Sequence, residues 1–214
     1  MKPGRLVGKK GERDRILDAH ELALVWRASD DLPSPYNVLI KLLLLLGNRR
    51  SELARAEWGE FALERAEWTL PAHRAKNGIA RAIPLPPMAV ELLNSLPRID
   101  DGRFVFAGRG GTAPIGDFAN VKRVLDAHVA ELNGGAIEAW VLHDCRRTCR
   151  SGLSAVGTAH HVAELCIGDQ QRGVHRIYDR HAYLDEQRTA FEKWSARLVA
   201  ITADKGDNVV ALRA

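Results

Sequence analysis

Residues 140–148 read Trp-Val-Leu-His-Asp-Cys-Arg-Arg-Thr, and they begin the stretch, ending at Tyr178, that decides how the rest of the chain is interpreted. His143 and Arg146 are three residues apart, so a helix or its first turn places an imidazole and a guanidinium side by side. Such a pair can hold a phosphate group. Further along, Tyr178 lies among basic residues, and nearby positive charges favour the phenolate over the phenol. Tyr178 is therefore a candidate nucleophile.

The same stretch resembles the C-terminal catalytic domain of the tyrosine recombinases, or phage-type integrases. In that family a Trp is followed by His-x-Leu-Arg-Arg-Thr, then by Leu-Gly-His, and a nucleophilic Tyr lies nine residues after the last His. The matching positions of this chain are Trp140, residues 143–148, Ile167-Gly168-Asp169 and Tyr178, nine residues after Asp169. Two substitutions depart from the pattern, because Cys145 replaces the usual Leu and Asp169 replaces the usual His.

An upstream segment extends the resemblance. Residues 46–53 read Leu-Gly-Asn-Arg-Arg-Ser-Glu-Leu and match the family pattern Thr-Gly-x-Arg-x-x-Glu-Leu at the Gly, the first Arg, the Glu and the final Leu. The resemblance makes Arg49 the first catalytic arginine and Glu52 a partner that orients the site. The apolar run before Gly47 predicts a buried helix that ends at this glycine.

A predicted β-hairpin supplies the next residue of the site. Residues 68–71 and 81–85 are short β-type runs joined by a polar turn around residues 76–78. In the family the catalytic lysine lies on such a hairpin just before its turn, and this position selects Lys76 over the neighbouring Arg74 and Arg81.

The overall composition allows one substantial globular domain. The chain has 214 residues with 46% hydrophobic content, and its net charge of +4 is modest evidence for a polyanionic partner. The longest apolar run, at residues 42–46, is far shorter than the ~20 residues that a membrane-spanning helix needs. The basic N-terminus has no apolar segment behind it, so we expect no signal peptide and a cytoplasmic, nucleoid-associated protein.

The predicted fold is mainly α-helical with a small antiparallel sheet, the fold of the tyrosine recombinase catalytic domain. Residues 1–17 are interpreted as a basic linker or arm, residues 18–194 as the catalytic domain, and residues 195–214 as a C-terminal tail that subunits can exchange. Asp18 is expected to cap the first helix, and Asp117 a later one that ends near Gly134. Integrases of this type carry further DNA-binding domains upstream, so we expect this chain to be a catalytic-domain fragment.

The resemblance assigns a role to each catalytic residue. Tyr178 attacks the scissile phosphate and forms a 3′-phosphotyrosyl intermediate, while Arg49 and Arg146 hold the non-bridging oxygens. Lys76 protonates the leaving 5′-hydroxyl and His143 assists proton transfer at the tyrosine. Asp169 occupies a catalytic position where the family has a hydrogen-bond donor, and Gln170 or His175 is a possible substitute donor.

The resemblance also implies partners. The expected partner is double-stranded DNA at attachment sites. The protein is expected to form a homotetramer on DNA and to be a monomer without DNA, and no membrane partner is expected. Further cations near the motifs are predicted to contact DNA: Arg74, Arg81, Lys122, Arg123, Arg147 and Arg176.

Cys145 and Cys149 lie four residues apart near His143, but these three side chains fall short of four zinc ligands. The cysteines are therefore predicted to belong to the core, and no metal or other cofactor is expected.

Three alternatives remain open at this stage. Tyr183 is a rival nucleophile, although the nine-residue interval selects Tyr178. A degenerate recombinase domain that binds DNA without cutting it is compatible with Asp169. A topoisomerase of the related type IB uses a similar set of Arg, Lys and Tyr, although the motif at residues 46–53 favours a recombinase. A suicide DNA substrate that traps covalent protein separates an enzyme from a binding module.

Overall fold

The structure is a computed structural model, and it describes residues 14–98, 102–169 and 182–203. Helices account for most of this part of the chain. They are α1 Ala19–Ala28, α2 Tyr36–Leu46, α3 Arg50–Ala54, α4 Pro87–Asn94, α5 Phe118–Asn133, α6 Leu142–Ala155, α7 His160–Ile167 and α8 Leu184–Thr202. None of the helices in these ranges is long and apolar enough to span a membrane.

A three-stranded antiparallel sheet completes the architecture. Its strands are β1 Phe61–Ala62, β2 Glu67–Leu70 and β3 Arg81–Pro84, in the order β1-β2-β3. Trp68 of β2 lies opposite Ile83 of β3. The mainly helical fold with a small antiparallel sheet is confirmed, and so is the hairpin, whose connection carries Lys76. The sequence did not predict β1, because two residues are too short to show an alternating pattern.

The core forms around α2. Eight of its eleven residues are buried, which confirms the buried helix that was predicted before Gly47. Helices α6 and α8 pack against it. The indole of Trp194 on α8 donates a hydrogen bond from Nε1 to the carbonyl of Leu44, at 3.1 Å. Gly152 of α6 allows this approach, because a Cβ there would lie 2.3 Å from the Trp194 ring.

Two predicted caps have different outcomes. The capping box of α1 is confirmed, because the Asp18 carboxylate accepts a hydrogen bond from the Glu21 backbone and the Glu21 carboxylate accepts one from the Asp18 backbone. Helix α5 begins where it was predicted to begin, but the cap assigned to Asp117 is wrong. Asp117 has a left-handed backbone with φ of 53° and its side chain makes no capping hydrogen bond.

The edges of the predicted catalytic domain are packed against the core. The backbone N–H of Leu17 donates to Oγ1 of Thr148 at 2.9 Å, and Leu17 is buried. At the other edge α8 continues past residue 194, and Ser195 and Leu198 are buried. Residues on both sides of these predicted boundaries therefore contribute to the same packed unit.

Candidate active site

Arg146 is held by the ends of two helices. It lies on α6 with only 6% of its side chain exposed, and its Nη1 donates to the carbonyl of Gly47 at 2.8 Å and to that of Ile167. These carbonyls belong to the C-terminal ends of α2 and α7, where the helix dipoles are negative. Gly47 has φ of +62°, and a Cβ there would lie 2.9 Å from Sγ of Cys149. Arg146 is thus fixed in one orientation before any ligand binds.

Arg49 is positioned by Glu52. Nη1 of Arg49 donates to Oε1 of Glu52 at 3.1 Å, and the Arg49 backbone N–H donates to Oε2 at 3.3 Å. The same carboxylate accepts a hydrogen bond from the Lys76 backbone at 3.4 Å and lies 3.9 Å from Nη2 of Arg81. Glu52 is almost completely buried, with 1% of its side chain exposed. It therefore connects the first arginine with the hairpin that carries Lys76.

Asp169 brings the two arginines together. Its Oδ1 lies 2.8 Å from Nη2 of Arg49 and 2.7 Å from Nη2 of Arg146. Its backbone N–H donates to the carbonyl of Glu164, which anchors it to the end of α7. The carboxylate is 43% exposed. Arg49 and Arg146, which are 97 positions apart in the chain, thus share one anionic oxygen.

A cavity of about 350 Å³ opens beside this cluster. Its lining includes His143, Arg147 and Asp169, together with Asp14 and Ile16 from the segment that the sequence had placed in a linker. No sequence signal pointed to Asp14 or Ile16, because their position depends on tertiary packing. Backbone carbonyls were missed as well, although the glycines at the ends of α2 and α7 indicate where such carbonyls occur.

His143 is exposed in the first turn of α6, yet its pKa is lowered. The part of the ring that packs against the protein loses water, and the positive charges of Arg147 and Arg146 add to this effect. Both causes disfavour the imidazolium, so the neutral ring predominates at pH 7. A neutral imidazole can accept a proton, as its predicted role requires.

The two hairpin arginines are mostly buried, and their contact with DNA stays a prediction. Arg74 is 10% exposed, and its guanidinium pairs with Glu60 at 2.7 Å and donates to the carbonyl of Glu52 at 3.0 Å. Arg81 donates to the carbonyl of Cys166 at 3.0 Å. Burial lowers the pKa of Arg81 to about 10, opposed by the charge of Glu52, so the side chain stays protonated at pH 7.

The predicted DNA contacts on α5 and α6 differ in exposure. Lys122 pairs with Asp126 and lies 4.0 Å from the centre of the Trp140 ring. Arg147 pairs with the buried Asp144 at 2.6 Å and keeps 31% of its side chain exposed. Arg123 is exposed and donates to the side chain of Asn120. Of these three, Arg123 is the one most open to solvent, and DNA binding by all three stays a prediction.

Tyr178 and Arg176 lie outside the described residues, so their predicted roles stay predictions, as do the substitute donors Gln170 and His175. Tyr183, the rival nucleophile, is half-buried at the start of α8, where its ring contacts that of His161 with centroids 5.0 Å apart. This packing fits the prediction that Tyr183 is not the nucleophile.

The three cysteines belong to the core, as predicted. Cys145, Cys149 and Cys166 are free thiols with no exposed surface. Burial raises the pKa of Cys145 and of Cys166 to about 12, so both stay protonated at neutral pH. Within residues 14–98, 102–169 and 182–203, no group of three or more His, Cys, Asp or Glu side chains could hold a metal ion.

Comparison with known proteins agrees with this architecture. Superposition on the lambda integrase catalytic core gives a TM-score of 0.57 at 19% identity, covering 74% of this chain and 96% of that one. The Tn1549 transposon integrase in complex with a circular intermediate DNA gives 0.62 at 18% identity, covering 86% and 67%. At these identities the likeness concerns the fold, which is that of the tyrosine recombinase catalytic core.

The family follows from the sequence comparison. Residues 15–184 match the Phage integrase family, and the chain belongs to that family. It is similar to the prophage integrase IntZ of Escherichia coli, with 27% identity over 195 residues, which cover 85% of this chain and 47% of IntZ. The chain thus spans about half the length of this relative. The binding-only and topoisomerase alternatives are not favoured by these matches.

Proposed function

We propose that the chain is the catalytic domain of a site-specific recombinase that cuts and rejoins DNA during integration and excision of a mobile element. The observation that carries this proposal is the convergence of Arg49 and Arg146 on one anionic oxygen, 2.8 and 2.7 Å away, beside a cavity that His143 lines. Two guanidinium groups at that spacing suit the non-bridging oxygens of a phosphodiester.

The reaction needs no energy source beyond the DNA itself. The Tyr178 oxygen forms a bond to phosphorus while the bond from phosphorus to the 5′ oxygen breaks, and neutral His143 accepts the tyrosine proton. Lys76 gives a proton to the departing 5′ oxygen. The phosphotyrosine retains the bond energy, so a 5′-hydroxyl from another strand reverses these steps and reseals the DNA.

The proposed partner is double-stranded DNA at the attachment sites of the element, bound by four copies of the protein. The enzyme then works in the cytoplasm, associated with the nucleoid. The presence of DNA in the Tn1549 integrase structure supports a DNA partner. The contacts that hold both arginines in place support a preformed phosphate site, because little side-chain freedom is lost when the ligand binds.

Covalent trapping tests this function. The substrate is a duplex with the sequence of the element's attachment site and a nick one nucleotide past the cleavage position, so that the cleaved fragment diffuses away and the adduct accumulates. The assay uses both the chain and the longest natural protein that contains it. We expect an adduct, resolved on a denaturing gel and absent with Tyr178→Phe.

Tyr183→Phe is the matched control. It removes the same hydroxyl from the neighbouring tyrosine, so it is expected to form the adduct at a rate within about twofold of the unmodified protein. Mass spectrometry of the adduct peptide then identifies the modified tyrosine. Absence of an adduct with every form of the protein contradicts the proposed function, and modification of Tyr183 contradicts the assignment of the nucleophile.

A further inference from the structure

We propose that the carboxylate of Asp169 is an internal occupant of the phosphate site, which a DNA phosphate has to displace from both arginines before it can bind there. This inference rests on the proposed function, because it takes the paired arginines to be the phosphate site. It assigns Asp169 a role in ligand entry, because any anion that binds both arginines has to compete with this carboxylate.

The hydrogen-bonding groups of the arginines show why the two anions compete. Nη1 of Arg49 is bonded to Glu52, and Nη1 of Arg146 is bonded to the carbonyls of Gly47 and Ile167. These contacts direct the Nη2 groups of both arginines toward the site. Oδ1 of Asp169 lies within 2.8 Å of each Nη2, at the place where a phosphate oxygen would contact both.

Exposure shows which member of the cluster can move. Arg146 keeps 6% of its side chain exposed and Arg49 keeps 20%, whereas Asp169 keeps 43%. The carboxylate can therefore regain water by rotating about its side-chain bonds, while both arginines remain fixed by their other contacts. Displacement of Asp169 is the exchange that costs least in desolvation.

The backbone beneath Asp169 is anchored, so the exchange is a side-chain movement. The N–H of Gly168 donates to the carbonyl of Leu165 at 3.0 Å, and the N–H of Asp169 donates to that of Glu164 at 2.9 Å. Gly168 has φ of +72°, and a Cβ there would lie 2.6 Å from the guanidinium carbon of Arg81. This end of α7 is thus held by hydrogen bonds and by close packing while the carboxylate rotates.

The carboxylate of Asp169 also reduces the repulsion between the two arginines in the absence of DNA. Two guanidinium groups directed at the same point repel one another when no anion lies between them. Asp169 neutralises part of that charge in the absence of DNA and keeps both groups aligned. The alignment is retained when a phosphate takes over the same two Nη2 groups, so the carboxylate both prepares the site and restricts entry to it.

Inorganic phosphate is the probe for this exchange. Asp169→Asn keeps the shape of the side chain and removes its charge, so calorimetric titration at constant ionic strength is expected to show phosphate binding about tenfold tighter than to the unmodified chain. Asp169→Ala serves as a second variant and is expected to change affinity in the same direction. Thermal unfolding of each variant establishes that it is folded.

Asp30→Asn is the matched charge control. It removes one negative charge from a carboxylate that pairs with Lys41, and neither residue contributes to the cluster around Asp169. Its effect on phosphate affinity is expected to stay within about twofold. In an Arg49→Gln background, Asp169→Asn is expected to increase phosphate affinity by a smaller factor. Arg49 then no longer supplies one of the two guanidinium groups for which Asp169 and phosphate compete.

The outcomes separate this inference from the proposed function. Phosphate affinity that is unchanged or weaker in both Asp169 variants overturns the inference, and so does an equal gain from Asp30→Asn. A covalent adduct formed by the unmodified protein together with unchanged phosphate affinity leaves the function standing and removes the inference. Tighter phosphate binding in the Asp169 variants without an adduct from any form of the protein supports competition between Asp169 and phosphate. It contradicts the proposed function.

Discussion

The carboxylate of Asp169 lies where the family pattern has a histidine, which is a hydrogen-bond donor. An anion at this position opposes the negative charge that develops on the phosphate oxygens during cleavage. Asp169→His removes that repulsion and adds a donor, so we expect faster cleavage, by a factor on the order of 10². Single-turnover formation of the covalent complex on a nicked substrate measures this rate. No gain in rate would indicate that Gln170 or His175 already supplies the donor.

His143 gives a second prediction for a single residue. Removing the positive charge of Arg147 takes away one cause of its lowered pKa, so Arg147→Gln is expected to raise that pKa toward the ordinary value. The imidazole then becomes protonated at higher pH. Because the proposed reaction needs the neutral ring, the acidic limb of the rate profile should move to higher pH. Single-turnover rates measured across the acidic range determine the position of that limb.

Arg147→Lys is the control for this prediction. It retains the positive charge beside His143, so the acidic limb should stay close to that of the unmodified protein. Equal profiles for the Gln and Lys variants would contradict the contribution of Arg147 and would leave burial, together with the charge of Arg146, as the cause of the lowered pKa.

At the level of the elements, we expect the hairpin of β2 and β3 to depend on Arg74. Its pairing with Glu60 and its hydrogen bond to the Glu52 carbonyl connect the Lys76 segment with α3, the helix that begins directly after Arg49. We expect Arg74→Met to slow cleavage about tenfold because Lys76 is held less firmly, while DNA affinity changes less than about twofold. Adduct formation and fluorescence anisotropy, measured side by side, separate the two effects.

Arg103→Met is the matched control on an exposed pair. Arg103 pairs with Glu57 and keeps 68% of its side chain exposed, so losing this contact is expected to change the cleavage rate little. If Arg74→Met reduces DNA affinity as strongly as it reduces the cleavage rate, then Arg74 contacts DNA as the sequence suggested, and the role in positioning the hairpin is wrong.

The elements also show what a sequence can and cannot predict. The start of α1 and the apolar α2 were predicted because their signals are local, namely a capping box and an apolar run that ends at a glycine. The hairpin was predicted for the same reason. The surroundings of Arg74 and the bridging position of Asp169 were not, because they depend on partners that are distant in the chain. Proximity to a motif indicates that a residue is near the site, not which way it faces.

For the whole molecule, we expect weak binding to DNA of random sequence. Phosphate contacts release counterions, so the Kd should be roughly 1–100 µM at physiological salt and rise on the order of tenfold between about 50 and about 200 mM salt. Fluorescence anisotropy over a salt series measures the slope. Nanomolar binding that does not depend on salt would contradict this prediction.

Arg123 provides the variant that tests the orientation of the chain on DNA. Its side chain is exposed, so Arg123→Gln should reduce the salt slope by about one if this face of α5 contacts a phosphate. A slope equal to that of the unmodified chain would place α5 away from the DNA.

The carbonyl of Gly47 and the guanidinium of Arg146 are 99 positions apart, and Arg49 and Asp169 are 120 positions apart. On a ribosome that adds 5–20 residues per second, the later partners emerge on the order of 10 s after the earlier ones. Throughout that interval the proposed phosphate site of the nascent polypeptide is not assembled. A translation product that stops before α7 lacks the Ile167 carbonyl that holds Arg146, and it also lacks the proposed nucleophile Tyr178, so premature termination is expected to release a protein that cannot nick the chromosome.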